Sequence, residues 1–135
     1  MDIKLFDSEL KVMDVLWQQG DMPARQIADI LGSEIGWNVN TTYTVIKKCV
    51  AKGAVQRQDP GFICRALIAK EEVQAAQTEE LVSKLFDGSV DKLFASLLSS
   101  GQLSPHRREA LRQLILESEE SNHDETKNRY PRGAE

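Results

Sequence analysis

The sequence predicts a mostly α-helical protein: a winged helix-turn-helix over residues 1–69, three further helices over residues 70–117, and a polar tail over residues 118–135. Three observations carry this. Three short amphipathic segments, each closed by glycine, occupy the first fifty-odd residues. A period-two stretch broken by Asp59-Pro60-Gly61 follows at once. After Ala69 the apolar spacing is helical again, and it is sharpest at Val90, Leu93, Phe94, Leu97 and Leu98, the i, i+3, i+4, i+7, i+8 pattern of a one-sided helix.

Asp7 is placed to cap a first helix starting at Ser8, with Leu10, Met13, Leu16 and Trp17 as its stripe and Gly20 as its stop. Pro23 suits the first turn of a second helix, where its missing N–H is not needed. Ile27, Ile30 and Leu31 form that helix's apolar face, and Gly32 and Gly36 close the segment. Asn40 or Thr41 can cap a third helix, which buries Thr42, Val45, Ile46, Cys49 and Val50 and ends at Gly53. Residues 54–58 alternate as a strand. Asp59-Pro60-Gly61 supplies turn chemistry, and Phe62 to Ile68 reads as the returning strand. Such a hairpin is marginal alone and must pack on the helices.

Lys70 to Asp87 forms the fourth helix, with Val73, Leu81, Leu85 and Phe86 as its larger apolar residues. Gly88 breaks it, Ser89 caps the fifth, and Gly101 ends that one. Ser104-Pro105 opens the sixth, whose stripe is Ala110, Leu111, Leu114 and Ile115. Three helices of this size do not close a core, so Val90, Leu93, Phe94, Leu97, Leu98, Leu111, Leu114 and Ile115 are expected to meet a second copy, making residues 70–117 a dimerisation region. Residues 118–135 carry no stripe and hold Pro131 and Gly133, so a disordered tail is expected.

Composition narrows the function. The chain is 41% hydrophobic and 28% charged, as soluble globular proteins are. No apolar run approaches the roughly 18 residues that span a bilayer, so membrane insertion is not expected. Met1-Asp2-Ile3-Lys4 lacks the layout of a signal peptide, and Cys49 and Cys64 are too few for a disulfide scaffold. A cytoplasmic protein with reduced thiols is expected. The net charge is −4, yet between Asn38 and Ala69 stand five basic residues and one acid, Asp59. A local positive field of this kind suits an anionic partner.

In a helix-turn-helix the second helix of the motif enters the major groove of double-stranded DNA. The buried stripe leaves Asn40, Thr41, Tyr43, Thr44, Lys47 and Lys48 facing outward. Asn can read adenine bidentately, and Thr can bond a base or touch a thymine methyl. Lys47, Lys48 and Lys52 suit phosphates. Arg57 and Arg65 could grip the flanking backbone or the minor groove. Tyr43 is open between a base or sugar contact and packing on the second helix, and Trp17 and Trp37 read as core or hinge residues.

These segments resemble the penicillinase-repressor family. Residues 7–17 (DSELKVMDVLW) look like its opening helix, and residues 37–48 (WNVNTTYTVIKK) with Lys52-Gly53 look like its recognition helix. Residues 85–90 (LFDGSV) and the later Leu103-Ser104 resemble its dimerisation region. The resemblance spans about Leu5 to Leu116. It implies a homodimeric repressor of a dyad-symmetric operator, of a resistance or stress operon and of its own gene. In the antibiotic-responsive branch it further implies an upstream membrane sensor-protease. The position of that branch's cleavage pair is Ser96-Leu97 here, which departs from its Asn-Phe. The copper-responsive branch's Cys-x-Cys pairs have no counterpart after Cys64, so no metal site is expected, and no cofactor. Arg65 stands where family members often carry an aromatic residue.

Two other functions are weighed. No Gly-rich phosphate loop, HExxH or nucleophile elbow is present, so an enzyme is not expected. The alternative is a winged-helix protein-interaction module, using Leu93, Phe94, Leu97 and Leu98 to hold a different partner.

Overall fold

The computed structural model describes the backbone of residues 3–129 and the side chains of residues 3–120. Its elements run α1 (Asp7–Gln19), β1 (Met22–Pro23), α2 (Ala24–Ile35), α3 (Val39–Ala51), β2 (Val55–Gln58), β3 (Ile63–Ala66), α4 (Lys70–Leu85), α5 (Val90–Ser99) and α6 (Pro105–Arg129). The chain divides into two units between Leu81 and Val82.

The first unit is a winged helix-turn-helix. Met13, Ile27 and Ile46, one from each of α1, α2 and α3, are fully buried together with Val12, Cys49, Val55 and Cys64. Thr42 joins them because its hydroxyl donates to the Asn38 carbonyl at 3.3 Å. The stripe predicted for the third helix is thus the one observed, with Val50 half-buried. The turn between α2 and α3 passes through Gly36 at φ +73°, a left-handed conformation that glycine adopts without steric cost. Four residues earlier, a Cβ on Gly32 would lie 3.3 Å from the Trp37 carbonyl oxygen, so this turn is also tight.

Several boundaries differ from expectation. Asp7 is the first residue of α1, not its cap. The backbone N–H of Phe6 is instead held by the Glu9 carboxylate at 2.8 Å. The cap of α3 is Asn38, neither Asn40 nor Thr41; its Oδ1 accepts from the Thr41 N–H at 3.0 Å. Pro23 precedes α2 and belongs to β1. The wing is therefore three-stranded, in the order β1-β3-β2, all antiparallel. Met22 pairs with Cys64 and Pro23 with Ile63. A proline fits there because β1 is an edge strand.

Helix α4 begins within the first compact unit, which runs to Leu81. Val73 is buried in the N-terminal core. The Gln77 amide donates to the Leu5 carbonyl at 3.3 Å, and Lys70 and Lys4 approach Asp14 and Glu80 at 3.9 and 3.6 Å. The indole of Trp17 donates to the Ile68 carbonyl at 2.9 Å and fixes the chain just before α4.

In the second unit both expected serine caps are present. Ser89 Oγ accepts from the Lys92 N–H and Ser104 Oγ from the Arg107 N–H. No residue of α5 is buried. Phe94, Leu98, Leu111 and Ile115 line a shallow apolar groove between α5 and α6. The backbone is helical to Arg129, where a disordered tail had been expected from residue 118. The segment holds no glycine or proline before Pro131, so no strong helix breaker interrupts a helix begun upstream. The rest of that expectation, residues 130–135, lies outside the described residues.

Candidate nucleic-acid interface

Helix α3 packs one face into the core and turns the opposite one to solvent. With 3.6 residues per turn, Asn40, Thr44 and Lys47 fall along the centre of the outward face. All three are exposed, and Lys47 makes no hydrogen bond or ion pair among the described residues. Thr41 and Lys48 are exposed on the side toward α1. Tyr43 is half-buried on the wing side, and its ring meets Phe62 edge-on at 5.8 Å and 82°. Tyr43 therefore has an aromatic partner in the wing.

The wing arginines do not share a face. Arg57 pairs across the sheet with Cys64, which is fully buried, whereas Arg65 pairs with Gln56 on the outer, exposed face. Arg57 lies over the Phe62 ring, Cζ 3.7 Å from its centroid, and its Nε donates to the two Asp59 oxygens at 3.1 and 3.3 Å. Asn40, Thr44, Lys47 and the Tyr43–Phe62–Arg57 stack thus form one continuous surface. Phe62 was not singled out from the sequence. Its part depends on a backbone φ of +50°, which no residue pattern reveals.

Lys52 is placed elsewhere. It follows the last turn of α3 and reaches back over α1, where Nζ donates to Glu9 Oε1 at 2.6 Å and to the Lys4 carbonyl at 2.7 Å. It also lies 4.2 Å from the Phe6 ring centroid. Glu9 is a charged residue turned into the core. Burial alone would push its carboxyl up, but the bonds from Lys52 and the Phe6 N–H, with the positive field of Lys52 and Lys48, hold it below the ordinary value. A cation at a helix C-terminus is favoured as well.

The two thiols sit beneath α3 and the wing. Burial, with the nearby Glu9 charge, pushes Cys49 up to about 12, and burial pushes Cys64 up to about 11. The thiolate is the reactive form, so the folded protein should resist maleimide at pH 8 for hours. Both thiols should react within minutes in denaturant. Fast labelling of the native protein would show that the core beneath α3 is open. Among the described residues no group of three or more His, Cys, Asp or Glu is placed to hold a metal ion, and no helix is long and apolar enough to cross a membrane.

A helix-turn-helix with a polar, cationic outward helix beside a wing belongs to the class of small DNA-reading domains. Comparison with known proteins gives the particular family. The profile of the penicillinase repressor family matches residues 5–117, and the chain belongs to that family of DNA-binding repressors, which are not enzymes. The chain is 22% identical over 116 residues to the penicillinase repressor of Bacillus licheniformis, covering 84% of this chain and 91% of that protein. It is 27% identical over 110 residues to an uncharacterized 16.5 kDa protein in the ptsI 3′ region of Latilactobacillus sakei, covering 80% and 75%. Among solved structures it is similar to the DNA-binding domain of the repressor BlaI, at 24% identity and TM-score 0.48 over 52% of this chain and 88% of that one. It is likewise similar to monomeric B. licheniformis BlaI in complex with the blaP half-operator, at 24% identity and TM-score 0.47 over 53% and 90%.

Proposed function

We propose that this chain is a cytoplasmic, dimeric transcriptional repressor that covers a dyad-symmetric operator, blocking a resistance or stress operon and its own gene. The observation that carries the reading is the outward row of α3: Asn40, Thr44 and Lys47 are exposed and aligned beside the wing. Asn40 and Thr44 read base edges, Thr41, Lys47 and Lys48 hold phosphates, and Arg57 and Arg65 extend the contact along the wing. Membership of the penicillinase repressor family over residues 5–117 supports the same reading. An upstream membrane sensor-protease is a further partner in this proposal. Ser96 and Leu97 lie inside α5, so cleavage there requires that helix to open locally.

Selection of bound duplexes from a random pool at near-physiological salt tests the reading. A palindrome with half-site centres one helical turn apart, or a multiple of it, is the expected product. No enrichment by a folded protein would overturn it and favour the protein-interaction module instead. On the selected site, Lys47→Ala should weaken binding to every sequence and lower the salt slope by about one unit. Asn40→Ala and Thr44→Ala should instead relax preference at one base pair per half-site, by about 1–3 kcal/mol. Equal losses on all sequences for the three variants would contradict this division of labour.

A further inference from the structure

We infer that Asp59 and Phe62 are positioning residues for DNA readout: together they hold the Arg57 guanidinium, already ordered, beside the outward face of α3. The inference rests on the DNA-binding reading and adds to it the means by which the wing is aimed.

Asp59 is the one acid among residues 38–69. On a surface meant for phosphates a bare carboxylate repels the ligand, so its presence calls for a reason. The structure supplies one. Both carboxylate oxygens receive Arg57 Nε, at 3.1 and 3.3 Å, and Oδ1 also accepts the Phe62 N–H at 3.3 Å. One side chain therefore fixes the arginine and the residue beneath it. Phe62 is fixed from three further directions. Its backbone is at φ +50°, its carbonyl accepts from the Ala24 N–H at 2.9 Å at the start of α2, and its ring meets Tyr43 of α3 edge-on. The guanidinium carbon then lies over that ring, 3.7 Å from its centroid. Among the described residues its two Nη groups make no hydrogen bond. Nε is used for holding, and the two terminal groups are left to donate. A fork held this way loses less freedom on binding than a free arginine would. Because Phe62 touches both helices of the motif, the arginine is referenced to α3 itself. Arg65, on the other face of the hairpin, has no such support.

The test is a double-mutant cycle on the selected operator and a scrambled duplex, with wild type, Asp59→Asn, Arg57→Ala and the double variant. Asparagine keeps an oxygen for the Phe62 N–H and removes only the charge that holds Arg57. Simple electrostatics predicts that losing a negative charge tightens binding to every duplex. Positioning predicts the reverse: Asp59→Asn weakens operator binding several-fold while the salt slope stays at the wild-type value. It also predicts that the double variant is no weaker than Arg57→Ala alone, the non-additivity of residues acting as a unit. Phe62→Leu keeps an apolar side chain but removes the ring face, and should reproduce the loss with an unchanged melting curve. Tighter binding by Asp59→Asn, additive with Arg57→Ala, overturns the inference and leaves the repressor reading standing. Wild-type protein that binds neither duplex overturns both.

Discussion

Lys52→Ala is expected to destabilise the protein by about 2–4 kcal/mol while leaving the salt dependence of DNA binding near its wild-type slope. The magnitude follows from what the substitution strands. The Glu9 side chain is 2% exposed and Lys52 28%, with 2.6 Å between them. Removing one partner of a buried pair costs about 3–5 kcal/mol because the other charge is left without compensation, and the partial exposure of Lys52 reduces this somewhat. A urea melt reads the first quantity and a salt titration of operator binding the second. A wild-type melt with a slope lowered by one would return Lys52 to the DNA face. The same pair governs acid stability. Glu9 is held below its ordinary value of 4.5, so its contribution is complete above that pH and is lost as pH falls through the lower, folded-state value. Glu9→Gln keeps an acceptor for the Phe6 N–H, and its stability should fall less steeply below about pH 4.5 than that of the wild type.

The second large effect is on assembly. Leu98→Asp should convert a dimer to monomers in sedimentation and reduce operator affinity by orders of magnitude, since two half-sites are no longer held by one particle. Phe94, Leu98, Leu114 and Ile115 are 36%, 53%, 62% and 48% exposed in the single chain, a large apolar area for a soluble surface. Leu98 is the better probe than half-buried Leu97, because an aspartate at an exposed position does not itself damage the monomer. A buried charge in an apolar seam, by contrast, is strongly unfavourable. An unchanged mass would place the dimer contact elsewhere, and unchanged affinity with monomeric protein would remove the two-fold operator from the proposal.

What could be read from sequence depended on whether the signal was periodic. The core face of α3 was legible because Thr42, Val45, Ile46 and Cys49 repeat at helical spacing, and the starts of α5 and α6 because Ser89 and Ser104 carry their own capping oxygens. Strand β1 has two residues, too few for any alternation to register. Glu9 was missed because a reading of apolar stripes passes over a charged residue, and its partner stands 43 positions away. For the same reason the count of cations between Asn38 and Ala69 overstates the outward field: Lys52 is spent on Glu9, and Arg57 shares its charge with Asp59. Lys47, Lys48 and Arg65 remain. The role of Phe62 was hidden in a backbone angle, and the length of α6 in a polar sequence with no apolar stripe to mark it.

The bond from Trp17 to the Ile68 carbonyl has a practical consequence. The protein contains two tryptophans, and Trp37→Phe would leave one fluorophore, its indole N–H tied to the strand exit that leads into α4. Emission from that single indole would shift whenever the exit segment leaves α1. The molecule therefore carries its own optical gauge of the strand exit ahead of α4, inside the first unit, one that can be followed without attaching a dye.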